Sequence, residues 1–287
     1  MSKYVIITDS SADLTKDIIN DPELSYLQLD VIVEGEEPRA NCDVDVKEFY
    51  GKLRGKKNAS TSAVNIDTFL AFFEPYLAEG TDVLYLGFSS GLSGTYNAGL
   101  VAAKELADKY PERKIYAIDT LAASLGQGLL VYYAVKMKNE GADIETVRSF
   151  IEENKLHLCH WFTVDDLFFL KRGGRVSAAT AVVGSMLSIK PVLHVDNKGR
   201  LINVSKARGR KASIDALFDK MKETAINVAD QTIFISHGDV QADAEYLANR
   251  IKNELGVKDV RIGYVGPVIG AHSGPGTMAL FFLGSER

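Results

Sequence analysis

The sequence predicts an α/β protein whose first half is a mostly parallel sheet with helices on both faces. In that half, short apolar runs alternate four times with helical patterns, and polar or glycine-rich turns follow the apolar runs. Such alternation is typical of strands that are joined by crossover helices. The pattern changes near residue 156, which predicts an N-terminal α/β domain over residues 1–156 and a C-terminal α/β domain over 157–287.

The first half contains four runs with strand character and five helical patterns. The predicted strands cover residues 5–7, 27–33, 83–87 and 114–118. The predicted helices are one capped by Asp45 that ends near Leu53, then 66–78, 95–109, a small-residue helix that ends near Asn139, and 143–153. The helix over 66–78 has apolar residues at a spacing that gives an apolar face; they are Phe69, Leu70, Phe72, Phe73, Tyr76 and Leu77.

The second half begins with a strand pattern at His157. Asp165 and Asp166 precede a short helix, which ends at Arg172-Gly173-Gly174-Arg175. Two strands, 189–195 and 201–206, flank Asp196-Asn197-Lys198-Gly199, which is a hairpin signal. A helix to Thr224 follows, and the remaining predictions are a strand at 232–237, a helix at 242–255, a strand at 261–265 and a last strand at 278–283. The glycine-rich segment over 266–277 contains a histidine-bearing glycine loop at 270–274.

The composition is typical of a soluble globular protein. Of the 287 residues, 46% are hydrophobic and 25% are charged, and the net charge of −5 gives no reason to expect nucleic acid as a partner. Two cysteines imply no disulfide framework. No apolar run approaches the length of a membrane span, and the first residues do not form a signal peptide. We therefore expect a cytoplasmic protein.

Three hydroxyl- or histidine-bearing loops predict a site for a small acidic group. The loop over residues 88–95 lies between a strand and a helix, where free backbone N–H groups attract anions. Thr61, Ser93, the N–H groups of Gly94 and Thr95, and His272 would suit a carboxylate or a phosphate. None of these groups is a fixed cation, which favours a singly charged head. The apolar residues around them favour a long apolar tail.

Other chemistries fit the residues less well. Gly91-Leu92-Ser93-Gly94-Thr95 lacks the last glycine of a hydrolase elbow, although His272 with Asp9 or Asp119 would complete a triad with Ser93. A serine-dependent lipid esterase is therefore an alternative. His157, Cys159 and His160 resemble metal-ligand spacing, but they lie in a predicted strand without further ligands nearby, so no metal is expected. No phosphate-binding loop or complete dinucleotide fingerprint occurs.

Six motifs in order resemble the DegV family and cover almost the whole chain. They are Asp9-Ser10-Ser11, Thr61-Ser62, the run from Ser89 to Tyr96, Asp119-Thr120 with Gly126-Gln127-Gly128, Val164 to Arg175, and Gly266-Pro267 through Gly276-Thr277. The resemblance implies a two-domain α/β protein that binds one long-chain fatty acid between its domains and needs no other cofactor. It further implies a noncatalytic, acyl-carrying subunit of a bacterial fatty acid kinase. An ATP-binding partner subunit would phosphorylate the carboxylate to acyl-phosphate for phospholipid synthesis.

The resemblance also assigns roles to individual residues. Thr61, Ser93, the Gly94 N–H and His272 match the groups that hold the carboxylate, with Ser62 and Thr95 as additional pocket residues. A basic cluster would dock the kinase subunit, and it comprises Arg172, Arg175, Lys206, Arg208 and Arg210. A solvated charged face is the alternative reading of this cluster. A lipid-responsive regulator, whose partner binding changes with ligand, is a further alternative to the kinase subunit.

Overall fold

The structure is a computed structural model that describes residues 3–177 and 189–287. Its strands are, in chain order, β1 (Tyr4–Asp9), β2 (Leu24–Leu27), β3 (Asp30–Val33), β4 (Arg39–Ala40), β5 (Ala59–Ser62), β6 (Asp82–Gly87), β7 (Ile115–Asp119), β8 (Leu158–Thr163), β9 (Ile189–Val195), β10 (Leu201–Arg208), β11 (Thr232–His237), β12 (Asp259–Tyr264) and β13 (Met278–Leu283). The described helices of four residues or more are α1 (Lys16–Ile19), α2 (Val46–Arg54), α3 (Ile66–Ala78), α4 (Thr95–Lys109), α5 (Leu125–Asn139), α6 (Ile144–Asn154), α7 (Leu167–Arg172), α8 (Arg210–Thr224), α9 (Gln241–Leu255) and α10 (Pro267–Ser273).

The first sheet has the order β2-β1-β6-β7, and all of its strand pairs are parallel. Every residue of β1 and β6 is buried, as expected for central strands that helices cover on both faces. The prediction of a mostly parallel sheet in the first half is confirmed. The carboxyl ends of β1, β6 and β7 meet at one edge, and the polar turns that follow them meet there too.

The largest sheet has six strands in the order β10-β9-β8-β13-β11-β12. Its pairs are antiparallel except for β11 with β12. All its residues lie between positions 158 and 283. The domain division at residue 156 stays a prediction. A domain is an independent folding unit, and the range of one sheet does not define such a unit.

The predicted strand over residues 27–33 is wrong as a single element. The structure divides this run into β2, in the parallel sheet, and β3, in a separate antiparallel sheet of order β4-β3-β5. The chain leaves the first sheet at Leu29, whose backbone N–H donates to Ser10 Oγ over 2.9 Å. The side-chain hydroxyl therefore replaces a ladder partner at the break.

Polar side chains begin several helices where the sequence predicts a cap. Asp45 accepts a hydrogen bond from the Glu48 N–H over 2.8 Å, and Asp166 accepts one from the Phe168 N–H over 2.8 Å. The predicted helices over residues 66–78 and 95–109 match α3 and α4. The predicted glycine loop at 270–274 is wrong, because Pro267 opens α10 at the first helical position and the helix continues to Ser273.

Helix α5 lies between the parallel sheet and the six-stranded sheet. Its first seven residues are buried, and the helix contacts strands of both sheets. A Cβ at Gly126 would lie 2.2 Å from His160 Nε2 of β8, so glycine allows this close approach. The apolar cluster around this helix also includes residues of both sheets, such as Leu84, Phe162 and Phe281.

Candidate functional site

A cavity of about 220 Å³ lies between the six-stranded sheet and the loops at the carboxyl edge of the parallel sheet. Strands β8, β9, β10, β11 and β13, together with α10, contribute to its wall, and loop residues supply much of the rest. Apolar side chains dominate the lining and include Phe88, Leu92, Phe162, Val195, Leu201 and Phe281. Of the residues predicted to form the site, Thr61, Ser62, Ser93, Gly94 and His272 all line this cavity.

The structure brings Thr61 and His272 into direct contact although 211 positions separate them. Thr61 Oγ1 of β5 lies 2.8 Å from Nε2 of His272, which is on α10. Burial, together with the positive charges of Arg175 and Arg172, lowers the pKa of His272 to about 4. The imidazole is therefore neutral at pH 7.

Ser93 and Gly94 reach the cavity from the loop between β6 and α4. Two turns hold this loop, since the backbone N–H groups of Leu92 and Ser93 both donate to the Ser89 carbonyl oxygen, over 3.0 and 3.1 Å. Ser93 Oγ lies 3.0 Å from Thr95 Oγ1 and accepts the Thr95 N–H over 3.2 Å. Thr95 is fully buried, so the structure places it behind Ser93 with its N–H already used.

Ser62 lies at the exposed side of the lining. Its Oγ is 3.4 Å from Asp30 Oδ2 on the neighbouring strand β3. The side chain therefore has a competing acceptor, which distinguishes it from Thr61, the preceding residue of β5.

The Asp9-Ser10-Ser11 motif supports the loop between β6 and α4, which carries Ser93, through buried hydrogen bonds. Asp9 is fully buried, and its carboxylate accepts hydrogen bonds from the Phe88 N–H over 3.0 Å and from Tyr85 Oη over 2.9 Å. Burial raises the pKa of Asp9, while these donors oppose the rise. Asp119 accepts the Ser90 N–H over 3.2 Å. Two carboxylates thus fix the start of the loop that carries Ser93.

Arg175 lines the cavity, which corrects two expectations from the sequence. The sequence places Arg175 in the docking cluster and predicts a site without a fixed cation. Its Nε instead donates to the Leu92 carbonyl oxygen over 3.1 Å, and its Nη1 lies 3.5 Å from Nδ1 of His272. The signal for this placement is Gly173-Gly174, where Gly174 adopts a φ of 74° and turns the chain inward after α7.

Arg210 is also misplaced in the predicted docking cluster. Its guanidinium is ion-paired with Asp243, at 2.8 Å, and with Asp165, at 3.6 Å, and it donates to the Gly276 carbonyl oxygen over 2.6 Å. The remaining three members of the cluster, Arg172, Lys206 and Arg208, are exposed.

The hydrogen bonds do not form the triad that a Ser93 hydrolase needs. In residues 3–177 and 189–287, His272 contacts Thr61 and Arg175 and neither Ser93 nor a carboxylate. The two candidate acids, Asp9 and Asp119, accept hydrogen bonds from the loop backbone instead. A hydrolase therefore lacks both its nucleophile–base contact and its orienting acid.

The histidines and cysteine near residue 159 do not form a metal centre. Cys159 packs in the apolar cluster on one face of the six-stranded sheet, while His160 lines the cavity on the other. The described part of the chain contains no group of three or more His, Cys, Asp or Glu side chains that could hold a metal ion. Among the same residues, no helix is long and apolar enough to cross a membrane.

Fold and cavity together define a class of α/β protein in which a mainly apolar cavity, whose lining includes hydroxyls and histidines, lies between a parallel sheet and a larger mixed sheet. The family model described as "Uncharacterised protein, DegV family" matches residues 3–285. This chain belongs to the DegV family.

Similar proteins span the chain from end to end. A DegV domain-containing protein of Clostridium perfringens is 50% identical over 289 residues, which cover 100% of this chain and 99% of the relative. A solved DegV lipid-binding protein of Thermotoga maritima is 31% identical and has a TM-score of 0.85, with 99% of each chain covered. A Thermus thermophilus DegV family protein, described by its fatty acid binding, is 28% identical with a TM-score of 0.86, covering 97% of this chain and 98% of that one.

Proposed function

We propose that this protein binds one long-chain fatty acid in the cavity, with the carboxylate held by Thr61, Ser93, the Gly94 N–H and His272. The carrying observation is that a mainly apolar cavity adjoins an open hollow, and that the residues lining both include a hydroxyl, Thr61, in contact with a neutral imidazole, His272. An apolar wall suits a methylene chain, and polar groups at one end suit a carboxylate. The fatty acid binding of the Thermus thermophilus relative supports the same ligand.

The apolar tail would supply most of the affinity. Burying one methylene contributes about 0.8 kcal/mol, so about fifteen methylenes contribute on the order of 12 kcal/mol before entropy losses. The polar end would mainly satisfy the head group, because an unpaired buried carboxylate costs several kcal/mol. Arg175 at this end adds a positive charge that a carboxylate favours.

The same proposal extends to presentation of the carboxylate to a fatty acid kinase subunit in the cytoplasm, without catalysis by this chain itself. An open hollow of about 470 Å³ adjoins the cavity, and Thr61, Arg175 and His272 line both. A carboxylate at this position would be close to the surface, within reach of a partner's phosphoryl donor. Exposed Arg172, Lys206 and Arg208 would meet an acidic partner surface.

Two measurements test these steps separately. Native mass spectrometry of freshly purified protein should detect one co-purified fatty acid, and protein that arrives empty and takes up none would contradict binding. The loaded protein should then yield acyl-phosphate with an ATP-binding kinase subunit, trapped as the hydroxamate by hydroxylamine. Ligand-dependent partner binding without acyl-phosphate would favour the lipid-responsive regulator instead.

A further inference from the structure

The guanidinium of Arg175 faces the one ring nitrogen of His272 that does not contact Thr61. Arg175 Nη1 lies 3.5 Å from His272 Nδ1, and His272 Nε2 lies 2.8 Å from Thr61 Oγ1. Arg175 Nη1 also donates to the Gly173 carbonyl oxygen, and its Nε donates to that of Leu92. Two backbone carbonyls therefore hold the guanidinium in place beside the ring.

Glycine at position 173 permits this arrangement. A Cβ there would lie 2.3 Å from His272 Nδ1, so any other residue would push the ring away from the guanidinium. The ring nitrogen is thus packed between the Gly173 backbone and Arg175. None of the described residues offers Nδ1 an acceptor for a hydrogen bond.

These contacts determine which ring nitrogen carries the proton. A neutral imidazole has one donor and one acceptor nitrogen, whereas a guanidinium only donates. Nδ1 must therefore present its lone pair to Arg175, and the proton resides on Nε2. Nε2–H then donates to Thr61 Oγ1, which leaves the Thr61 hydroxyl hydrogen free for a ligand.

We propose that Arg175 is a positioning residue that fixes the tautomer of His272 and thereby makes Thr61 a donor to an acceptor-only head group. This inference rests on the proposed fatty acid binding. A carboxylate accepts hydrogen bonds and cannot donate them. With the other tautomer, Thr61 would donate to Nε2 and would turn only lone pairs toward the carboxylate.

The tautomer can be read directly by NMR of protein labelled with ¹⁵N-histidine, without ligand and with palmitate. We expect Nε2-protonated His272 in both states, assigned by its loss in His272→Gln. Arg175→Met removes the donor that faces Nδ1 and frees the Gly173 carbonyl oxygen beside it, so this variant should populate the Nδ1-protonated form. Arg175→Lys, which keeps a cation that only donates, should restore the original one. A His272 protonated at Nδ1 in the unaltered protein would overturn the inference, whatever the variants do.

Binding supplies the second readout. Arg175→Met should weaken palmitate binding by about tenfold and hexadecan-1-ol binding by less than about threefold, because an alcohol can either donate or accept. Lys171→Met removes one charge from the same segment, at a side chain whose ammonium lies 5.5 Å from the Phe168 ring centre, and should change neither affinity. An unchanged palmitate-to-alcohol ratio in Arg175→Met would refute the role of Arg175, and a changed ratio with an unchanged His272 tautomer would assign the loss to the charge of Arg175 alone and also overturn the inference. Absence of palmitate binding by the unaltered protein would instead refute the proposed function and leave the tautomer result standing.

Discussion

The Ser89 hydroxyl donates to the Gly199 carbonyl oxygen over 2.8 Å. This bond joins the loop that carries Ser93 to the turn between β9 and β10 of the six-stranded sheet. The backbones are in close contact at the same place, since a Cβ at Gly91 would lie 2.6 Å from the Lys198 carbonyl oxygen. The part of the cavity wall that Ser93 forms is therefore fixed by contacts between a loop of the parallel sheet and a turn of the six-stranded sheet.

Replacement of Gly199 by alanine should destabilise this junction. Gly199 has a φ of 69°, and its Cβ would lie 2.0 Å from Ser89 Oγ. Backbone strain together with overpacking should lower the free energy of unfolding by about 2–4 kcal/mol in urea denaturation. Gly35→Ala is the matched control, because Gly35 has a φ of 80° but open space around it. Equal losses in the two variants would mean that the contact with Ser89 contributes nothing.

Removal of the Thr61 hydroxyl should weaken the binding of fatty acid. Thr61→Val keeps the shape of the side chain but leaves His272 Nε2 and one carboxylate oxygen without this partner, a loss of about 1–3 kcal/mol. We expect the Kd for palmitate to rise about tenfold or more in isothermal titration calorimetry. Ser60→Ala, at the exposed preceding position of β5, should leave the Kd unchanged, and a similar effect of both changes would contradict the assignment of Thr61.

Acid should destabilise the protein in part through His272. Its pKa is 6.5 when exposed and about 4 in the folded protein, so only the unfolded chain binds a proton between these values. Stability is full above pH 6.5 and falls as the pH drops toward 4, by about 3 kcal/mol at most. His272→Gln should show a shallower decline of unfolding free energy between pH 7 and pH 4.5. Burial also lowers the pKa values of His160, His194 and His237. Because these histidines are present in both proteins, the contribution of His272 is the free energy of unfolding of the wild type minus that of the variant at each pH.

The contribution of Asp13 to stability should depend on pH in the opposite direction, so that it decreases as the pH rises. Burial raises the pKa of its carboxyl from 3.8 to about 7, and the folded protein therefore holds a proton that the unfolded chain releases. The stabilisation is present below pH 4 and is lost as the pH rises through 7. Asp13→Asn keeps an acceptor for the Ser124 hydroxyl and tolerates the φ of 51°. It should raise the free energy of unfolding by about 2 kcal/mol at pH 8 relative to wild type, and a gain of the same size at pH 4.5 would exclude titration as its cause.

The exposed arginines should affect the rate of phosphoryl transfer to the fatty acid and should not affect the binding of the fatty acid. Arg172→Ala and Arg208→Ala should each slow acyl-phosphate formation severalfold at low ionic strength, and by less at high salt, because rim charges mainly steer association. The Kd for palmitate should stay the same in both. Lys252→Ala, which removes an exposed charge from α9, serves as the control, and equal rates in all three variants would remove the docking role.

Sequence patterns predicted elements well where apolar spacing and caps agree. The bounds of α3 and α4 follow from their periodicity and the adjoining polar residues, and β9, β11 and β13 match the predicted runs. The run over residues 27–33 failed because its apolar residues continue across a change of sheet. That change depends on the Ser10 hydroxyl, which lies nineteen positions away, and a local pattern contains no such information.

The sequence predicted most of the residues that line the candidate site, but it did not predict which of them contact each other. The hydroxyl- and histidine-bearing loops identified Thr61, Ser93 and His272, and the resemblance assigned them to one carboxylate. Arg175 was missed as a cavity residue because its placement depends on the turn at Gly173-Gly174, while its charge resembles that of the exposed arginines nearby. Arg210 was misjudged for a related reason, since Asp165 and Asp243 are distant from it in the chain.

The separation of Thr61 and His272 has a consequence for synthesis. A nascent chain completes β5 and the parallel sheet long before the ribosome has added α10, which carries the partner of Thr61. A partly made chain therefore displays the Thr61 hydroxyl without the imidazole. The contact between Thr61 and His272, and with it the complete head-group site of the proposed function, can form only after translation has passed His272.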